Sequence, residues 1–435
     1  MVDRVTAAEV ILWNKRVGAV AWNETSQSAT FEYDPVFLES GLDIAPIMMP
    51  IDRARTGSTL FEFSALPFET FQGLPGLLSD SLPDKFGNAL INRWLAEQGR
   101  NANDFTVIER LCYTGKRGMG ALEFRPAIQT KLEESVSVEV AELTRLAQRV
   151  IDERSVLKTE FCANPTDAML NIIRVGTSAG GNRPKAVIAL NEKTNEVRSG
   201  QVKAPEGYGY WILKFDGVQD RALADPKGFC RIEYAYYLMA KDAGIKMMES
   251  RLLKESDRAH FMTRRFDRPG GKEKLHVQSL CGMAHFDFNA RGAYSYEQAF
   301  QVMRELRLPY ADAEQQYRRM VFNVMARNQD DHTKNIAFIM DKAGQWRLSP
   351  AFDVTYSHNP RGFWTHQHQM SLHGKRDHFE LKDLLQVAGE MNIKTGGQII
   401  EHVQDAVSQW PRYAKEAQVE AKQWQEIQKH HRLKF

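Results

Sequence analysis

A short polar stretch in the C-terminal half of the chain has the residue types best suited to chemistry. Asp330 is followed five residues later by Asn335, and Asp353 comes after a short apolar hairpin pattern. In phosphoryl transfer, one carboxylate accepts the proton of the attacking hydroxyl, while an amide oxygen and a second carboxylate bind magnesium on the ATP phosphates. Because Asn and Asp are also common turn residues, a plain helix-to-strand connection is the alternative interpretation.

The segments on either side of this stretch predict how it is positioned. Apolar residues recur at helical spacing before it, and an alternating pattern with a turn follows at 336–348. A helix that leads to Asp330 and a hairpin that returns the chain to Asp353 would bring the side chains together, which favours the chemical interpretation. Of two adjacent acids, Asp330 has the required offset from Asn335, and Asp331 is expected to face solvent. The predicted helix has an apolar stripe of Tyr317, Met320, Val321, Val324 and Met325.

A glycine-rich loop farther upstream could cover phosphates. Residues 174–185, RVGTSAGGNRPK, precede an apolar strand pattern at 186–190. Two glycines have Walker A spacing, but Asn182 and Arg183 stand where that motif needs Lys and Ser/Thr, and a strand follows in place of a helix. A P-loop NTPase is therefore rejected. A loop rich in backbone N–H groups beside basic side chains can still bind phosphates, and a plain hairpin turn is the alternative.

Lys214 interrupts an apolar strand pattern at 210–215. Burial of an unpaired ammonium costs free energy, so this lysine should have an anionic partner. The helix pattern that follows, 231–240, contains Glu233 as its one acid. A strand lysine paired with a helix glutamate positions ATP phosphates in kinases. An edge-strand lysine whose ammonium reaches water is the alternative.

Length and composition exclude several classes of protein. A chain of 435 residues exceeds what one core usually contains, so two or three units are expected. Its 57 basic and 55 acidic residues give a net charge of +2, which provides no large field for nucleic acid or anionic membrane. The cysteines are widely spread without a C-x-x-C pair, which fits a reducing cytoplasm. No signal peptide or membrane span is predicted.

Two other polar clusters are assigned to the surface. His366, His368 and His373 lack an i, i+4 pair with a supporting acid, so a zinc site is rejected and loop or surface positions are expected. The basic cluster at 264–268 is interpreted as a solvated strand end.

Eight short motifs extend over nearly the whole chain: Ser81-Leu82-Pro83-Asp84, Gly118-Met119-Gly120-Ala121-Leu122, residues 176–185, Trp211-Ile212-Leu213-Lys214-Phe215, Glu233-Tyr234, Arg265-Phe266-Asp267-Arg268, residues 330–335 and Ser349-Pro350-Ala351-Phe352-Asp353. In this order, the set resembles the HipA family of serine/threonine kinases, the toxin half of bacterial HipBA toxin–antitoxin pairs. The resemblance implies an α+β, two-lobed, protein-kinase-like fold related to phosphatidylinositol kinases. It also implies a β-rich subdomain at 1–130, an ATP-binding lobe at 150–280 and a helical lobe at 281–435.

The resemblance further implies roles for individual residues. Asp330 would be the catalytic base, and Asn335 and Asp353 would be magnesium ligands for ATP. Ser178 in the glycine-rich loop would be autophosphorylated, with Thr177 as the alternative. The implied ATP contacts are Lys214, Glu233, His332, Lys185, the loop residues Ser178, Gly180 and Gly181, and the adenine hinge residues Gln278 and Leu280.

Partners are also implied by the family. A HipB-like helix-turn-helix antitoxin would bind the kinase, DNA would be contacted mainly through that antitoxin, and a protein such as an aminoacyl-tRNA synthetase would be the substrate. The sequence differs from the best-known branch in its GGNRP loop and in having Gln278 where that branch has an acid. A kinase of a lipid or small metabolite, or a corepressor that acts with a DNA-binding partner, remains as an alternative.

Overall fold

A computed structural model of the chain describes residues 5–97, 99, 101, 105–126, 137–153, 183–218, 228–271 and 273–435. The glycine-rich loop up to Asn182, and with it Thr177, Ser178, Gly180 and Gly181, lies outside these residues. Within the described ranges, no helix is both long and apolar enough to span a bilayer.

The N-terminal part is built around an antiparallel sheet. Its strands are β1 (Ala7–Leu12), β2 (Lys15–Asn23), β3 (Ser28–Tyr33), β4 (Leu60–Phe61) and β5 (Leu122–Arg125), in the order β4-β3-β2-β1-β5. The short alternating bursts of apolar residues at 8–34 predict a hairpin that leads into a small antiparallel sheet, and the pairing of β1, β2 and β3 confirms it. Strand β3 alternates buried Phe31 and Tyr33 with exposed Glu32, the period of a half-buried strand. The helices of this part are α1 (Pro35–Glu39), α2 (Ile51–Thr56), α3 (Phe68–Phe71), α4 (Gly76–Ser79), α5 (Lys85–Glu97) and α6 (Val107–Thr114).

A second antiparallel sheet forms the core of the middle region, in the order β7-β6-β8-β10-β9. After helix α7 (Val140–Glu153), its elements are β6 (Lys185–Asn191), β7 (Val197–Ser199), β8 (Tyr208–Lys214), α8 (Phe229–Asp242), β9 (Ser250–Glu255) and β10 (Arg258–Arg264). Strand β8 is the central strand, and Lys214 at its end lies opposite Lys185 on one side and Phe261 on the other. The edge-strand interpretation of Lys214 is therefore wrong.

A third, three-stranded sheet begins the helical part of the chain. Its strands are β11 (His276–Ser279), β12 (Ala337–Met340) and β13 (Trp346–Leu348), and the last two form the predicted hairpin. The helices here are α9 (Leu280–Ala284), α10 (Tyr296–Glu305), α11 (Tyr310–Met325), α12 (Leu381–Glu390), α13 (Gly396–Ser408), α14 (Trp410–Glu416) and α15 (Ala421–His430). All five residues of the predicted stripe are buried on α11. The chain crosses from the second sheet to the third through residues 265–275.

The N-terminal part packs closely against the start of the helical part. One apolar cluster includes side chains from β1 through α15 and joins the two. A Cβ on Gly76 would lie 2.2 Å from the carbonyl oxygen of Gly282, so α4 and α9 are in backbone contact. The Asp80 carboxylate accepts hydrogen bonds from the Ser279 backbone N–H at 2.7 Å and from its hydroxyl at 2.8 Å. The third sheet is thus fixed to the N-terminal subdomain.

Candidate active site

Lys214 bridges two acidic side chains from different parts of the fold. Its Nζ lies 2.5 Å from Glu233 Oε1 on α8 and also forms an ion pair with Asp353 Oδ1. The side chains of Lys214 and Glu233 are 10% and 3% exposed, so this pair is shielded from water. Burial alone would lower the pKa of Lys214, but the charges of Asp353 and Glu233 raise it above its ordinary value. Lys214 therefore has the anionic partner that the sequence predicts, and a second one.

The N-terminus of α8 is tied to the strand that ends at Lys214. The Gly228 N–H donates to Asp216 Oδ1 at 3.0 Å, and the Cys230 thiol donates to the Lys214 carbonyl at 3.4 Å. Asp216 is itself buried. These contacts fix the first turn of the helix against the end of β8, which keeps Glu233 within reach of the lysine.

The loop after α11 leaves the Asp330 side chain partly exposed at the protein surface. The Asp330 side chain is 42% exposed, and His332 Nε2 lies 3.7 Å from its Oδ1. Asn335 Nδ2 donates to the backbone oxygen of Asp330 at 2.7 Å, which closes the loop and leaves the amide oxygen of Asn335 for another partner. The structure therefore brings Asp330, His332 and Asn335 together, as the sequence predicts.

Asp331 does not face solvent, so the expectation for this residue is wrong. Its carboxylate is 1% exposed and accepts hydrogen bonds from Tyr296 Oη, His368 Nδ1 and the Gln369 N–H, each at 2.7 Å. Burial alone would raise the pKa of Asp331, but His368 and the donated hydrogen bonds lower it. His368 is fully buried in this contact, so a surface position for it is wrong, although it does lie in a loop as expected.

Asp353 faces the same cavity as the loop. It follows the hairpin and has a left-handed backbone conformation, with φ of 51°, which is uncommon for a residue other than glycine. Burial would raise the pKa of Asp353, but Lys214, Lys185 and His332 lower it. Asp353, Asn335 and His332 line one cavity, whereas Lys214 and Glu233 line an adjoining one. A carboxylate and an amide oxygen that share a cavity are hard donors of the kind that Mg²⁺ binds.

The other predicted ATP contacts have different positions. Lys185 is buried beside Lys214 and close enough to Asp353 to affect its pKa. Gln278 and Leu280 lie beyond the crossover, in the third sheet and at the start of α9, where both are buried. The Leu280 N–H donates to the Ile336 carbonyl at 2.7 Å, so this segment packs against the residue that follows the loop of Asp330 and Asn335.

Within the basic cluster at 264–268, Arg265, Asp267 and Arg268 form a buried ion-pair network, so the interpretation as a solvated strand end is wrong for these residues. It holds for Arg264, the last residue of β10, whose side chain is 38% exposed. The Asp267 carboxylate lies 2.8 Å from Arg265 Nη2 and 2.6 Å from Arg268 Nη1, and all three residues are at most 9% exposed. The same carboxylate accepts the Gly120 N–H at 2.7 Å, and both arginines donate to the Gly118 carbonyl. The network fixes the crossover to the N-terminal subdomain.

Trp364 is a site residue that the sequence did not reveal. Its indole Nε1 donates to Asp330 Oδ1 at 2.6 Å, although the two residues are 34 positions apart. A single tryptophan in a polar segment has no spacing relative to the loop that could signal this contact. Among the described residues, no group of three or more His, Cys, Asp or Glu side chains could hold a metal by themselves.

Comparisons with known proteins agree with this architecture. The HipA-like C-terminal domain matches residues 177–410, and the HipA N-terminal domain matches residues 8–125. One similar solved structure is HipA of Shewanella oneidensis MR-1, in a complex with HipB and operator DNA. The two chains are 17% identical with a TM-score of 0.65, and the match covers 97% of the present chain and 94% of the Shewanella chain. The proinflammatory kinase CtkA of Helicobacter pylori is 12% identical with a TM-score of 0.34, over 58% of this chain and 89% of its own. No curated protein matches the chain.

Proposed function

This chain belongs to the HipA family of protein kinases, and on that premise we propose that it transfers the γ-phosphoryl group of ATP to a serine or threonine hydroxyl of a protein. The observation that supports the proposal most directly is the position of Lys214, held between Glu233 and Asp353 beside the loop of Asp330 and Asn335. Phosphoryl transfer needs a cation for the phosphates, oxygen ligands for magnesium and a carboxylate near the acceptor. These residues supply all three.

Each side chain has one task in this proposal. The Asn335 amide oxygen and the Asp353 carboxylate bind Mg²⁺, which neutralises phosphate charge when it is present with ATP. Lys214, kept in place by Glu233, contacts the phosphates together with the neighbouring Lys185. The glycine-rich loop residues Ser178, Gly180 and Gly181 stay predicted phosphate contacts. Asp330 accepts the proton of the acceptor hydroxyl, and His332 lies next to both acids. Contact of Gln278 and Leu280 with the adenine stays a prediction from the family resemblance.

A labelling assay tests the proposal. The purified chain with Mg²⁺ and γ-labelled ATP should transfer label to itself or to a protein in a cell lysate. Asp330→Asn keeps the side-chain shape but removes the general base, so the rate should fall by about 10²- to 10⁴-fold. Asp52→Asn, at an exposed position of α2, is the matched control and should leave the rate unchanged. Transfer by Asp330→Asn at the wild-type rate would refute the assignment of the base.

Autophosphorylation belongs to the same proposal. Ser178 is the expected acceptor in the glycine-rich loop, and a phosphate there adds about 1.5 to 2 negative charges close to the lysines that bind ATP. Mass spectrometry of the protein after incubation with ATP should locate the phosphate on Ser178. Loss of the modification in Ser178→Ala but not in Thr177→Ala would support this site, and the reverse result would assign it to Thr177.

Partners and substrate follow from the family. The chain should act in the cytoplasm with a HipB-like helix-turn-helix antitoxin, contact DNA mainly through that partner, and phosphorylate a translation component such as an aminoacyl-tRNA synthetase. Phosphoproteomics after brief expression, with Asp330→Asn as the reference, identifies the substrate. If no polypeptide in the lysate is labelled while ATP is consumed, a lipid or metabolite kinase is the better interpretation. If ATP is not consumed and the chain still represses with a DNA-binding partner, it is a corepressor.

A further inference from the structure

The carboxylate of Asp330 is engaged on one oxygen atom. Trp364 Nε1 donates to Oδ1 at 2.6 Å, and His332 Nε2 lies 3.7 Å from the same atom. Within the described part of the chain, no hydrogen bond to Oδ2 is found, and the side chain is 42% exposed. A carboxylate held through one oxygen presents the other in a defined direction, because rotation of the planar group would break the first hydrogen bond.

Contacts on its C-terminal side hold the Trp364 backbone in place. Gln369 Nε2 donates to the Trp364 carbonyl at 2.5 Å and to the Gln329 carbonyl at 3.2 Å. The Gln369 N–H donates in turn to Asp331 Oδ1 at 2.7 Å, and Gln369 is buried. A chain of hydrogen bonds thus runs from buried Asp331 through Gln369 and Trp364 to exposed Asp330.

A second set of contacts holds the same segment on its N-terminal side. Arg291 donates to the Phe363 carbonyl, and its guanidinium lies 3.5 Å from the centre of the Phe363 ring. The Trp364 ring lies 6.2 Å from the His332 ring, with an interplanar angle of 63°. The backbone on both sides of Trp364 is therefore held by hydrogen bonds, and the indole donates to Asp330 beside the His332 ring.

We propose that Trp364 is a positioning residue for phosphoryl transfer, which holds Asp330 so that Oδ2 receives the proton of the acceptor hydroxyl. This inference rests on the proposed function. The indole N–H of Trp364 acts through Asp330 alone and does not contact ATP. Its loss should therefore slow the chemical step while nucleotide binding stays unchanged. A carboxylate free to rotate spends less time in the productive geometry, and misplacement of a catalytic group by about 1 Å can cost about 10²-fold in rate.

The kinetic test uses Trp364→Phe, which removes the N–H and keeps an aromatic ring. The expected result is a kcat about 10- to 100-fold lower than wild type with the KM for ATP and for the protein acceptor unchanged. Trp346→Phe is the matched control, because its indole also donates one hydrogen bond, to the Asp43 carbonyl at 3.1 Å, away from Asp330. A raised acceptor KM with unchanged kcat would overturn the proposal in favour of a substrate contact. A raised kcat would overturn it in favour of an inhibitory cap.

A double mutant separates action through the base from other effects. If Trp364 works only by holding Asp330, then Trp364→Phe should have no further effect in the Asp330→Asn protein, measured in single-turnover labelling. Multiplicative losses would overturn the proposal. If the wild-type protein transfers no phosphate at all, the proposed function itself has failed, which differs from an active enzyme that is insensitive to Trp364→Phe.

A spectroscopic measurement tests the hydrogen bond without any activity. The chain has eight tryptophans, and the indole N–H resonance of Trp364 can be assigned as the one that disappears in Trp364→Phe. A hydrogen bond to a carboxylate moves this proton resonance downfield, so Asp330→Ala should shift it upfield and leave that of Trp346 unchanged. An unshifted Trp364 resonance would overturn the proposal whether or not the protein is a kinase.

Discussion

Asp330 and Asp331 are adjacent in the chain, but their carboxylates lie in opposite environments. The Asp330 side chain is 42% exposed and that of Asp331 is 1% exposed. Asp331 accepts three hydrogen bonds from buried groups of the helical part of the chain, and these hold the loop in place. Asp330 is left partly exposed on the other side of the loop. A buried anchor beside a reactive group is a common way to hold that group within a fraction of an ångström.

This contrast predicts opposite effects for the same conservative change. Asp331→Asn removes a buried charge that binds His368 and accepts from Tyr296 and Gln369, so it should destabilise the protein by about 3 to 5 kcal/mol. Asp330→Asn changes an exposed group and should shift stability by no more than about 0.5 kcal/mol while lowering the rate of transfer by about 10²- to 10⁴-fold. Thermal unfolding of both variants checks the prediction. Equal melting temperatures would contradict the anchor role of Asp331.

The buried pair of Lys214 and Glu233 predicts a double-mutant result. Lys214→Met leaves Glu233 buried and unpaired, which should cost about 3 to 5 kcal/mol of stability. Lys214→Met also removes the cation beside Asp353, so adding Glu233→Gln removes one of the two uncompensated charges and should restore part of that stability. Phosphoryl transfer should stay absent, because the phosphates still lack their cation. Denaturant unfolding and labelling of the single and double variants measure the two effects. A double variant less stable than Lys214→Met would argue against the pairing.

Local patterns in the sequence predicted much of the fold and part of the site. The hairpin at 8–34, the stripe of the helix before the loop and the hairpin before Asp353 were all predictable, because periodicity of 2 or 3.6 residues reflects which face is buried. The partner of Lys214 was predictable for an energetic reason, since a buried ammonium needs an anion.

Contacts between distant segments could not be predicted in this way. His368 and Trp364 reach the loop from a segment that has no regular periodicity, and their partners lie more than 30 positions away. The adenine-hinge role of Gln278 stays a prediction, because it comes from motif order alone, whereas strand pairing sets the neighbours of this residue, which pairs with Phe338. The expectation of a solvated position is wrong for Asp331, Arg265 and Arg268, which the fold buries together with their partners.

The network around Asp267 predicts a difference between two adjacent arginines. Arg265 is buried against Asp267, whereas the Arg264 side chain is 38% exposed and forms surface ion pairs with Glu192 and Glu249. Arg265→Gln should destabilise the protein by about 3 to 5 kcal/mol, because it leaves part of the buried carboxylate uncompensated. Arg264→Gln should cost no more than about 1 kcal/mol. Limited proteolysis and thermal unfolding compare the two variants. Equal losses of stability in Arg265→Gln and Arg264→Gln would show that the network around Asp267 does not fix the crossover between the second and third sheets.

His285 predicts that stability falls at mildly acidic pH. Its Nε2 accepts the Gly76 N–H at 3.0 Å, and burial lowers the pKa of this imidazole to about 4. An unfolded histidine has a pKa of about 6.5. Between these values the unfolded chain binds a proton that the folded chain does not, so the free energy of unfolding decreases as pH falls from about 6.5 to about 4.

A variant that lacks only His285 isolates this contribution. Gln in place of His285 can accept the same hydrogen bond from Gly76 through its side-chain oxygen but does not titrate, so His285→Gln should lose less stability than wild type between pH 7 and pH 4.5. His276, whose pKa burial also lowers to about 4, remains in both proteins and keeps part of the slope. Melting temperatures across this pH range measure the difference. Parallel curves for the two proteins would mean that folding does not lower the pKa of His285. The contact between α4 and α9 would then not depend on a neutral imidazole.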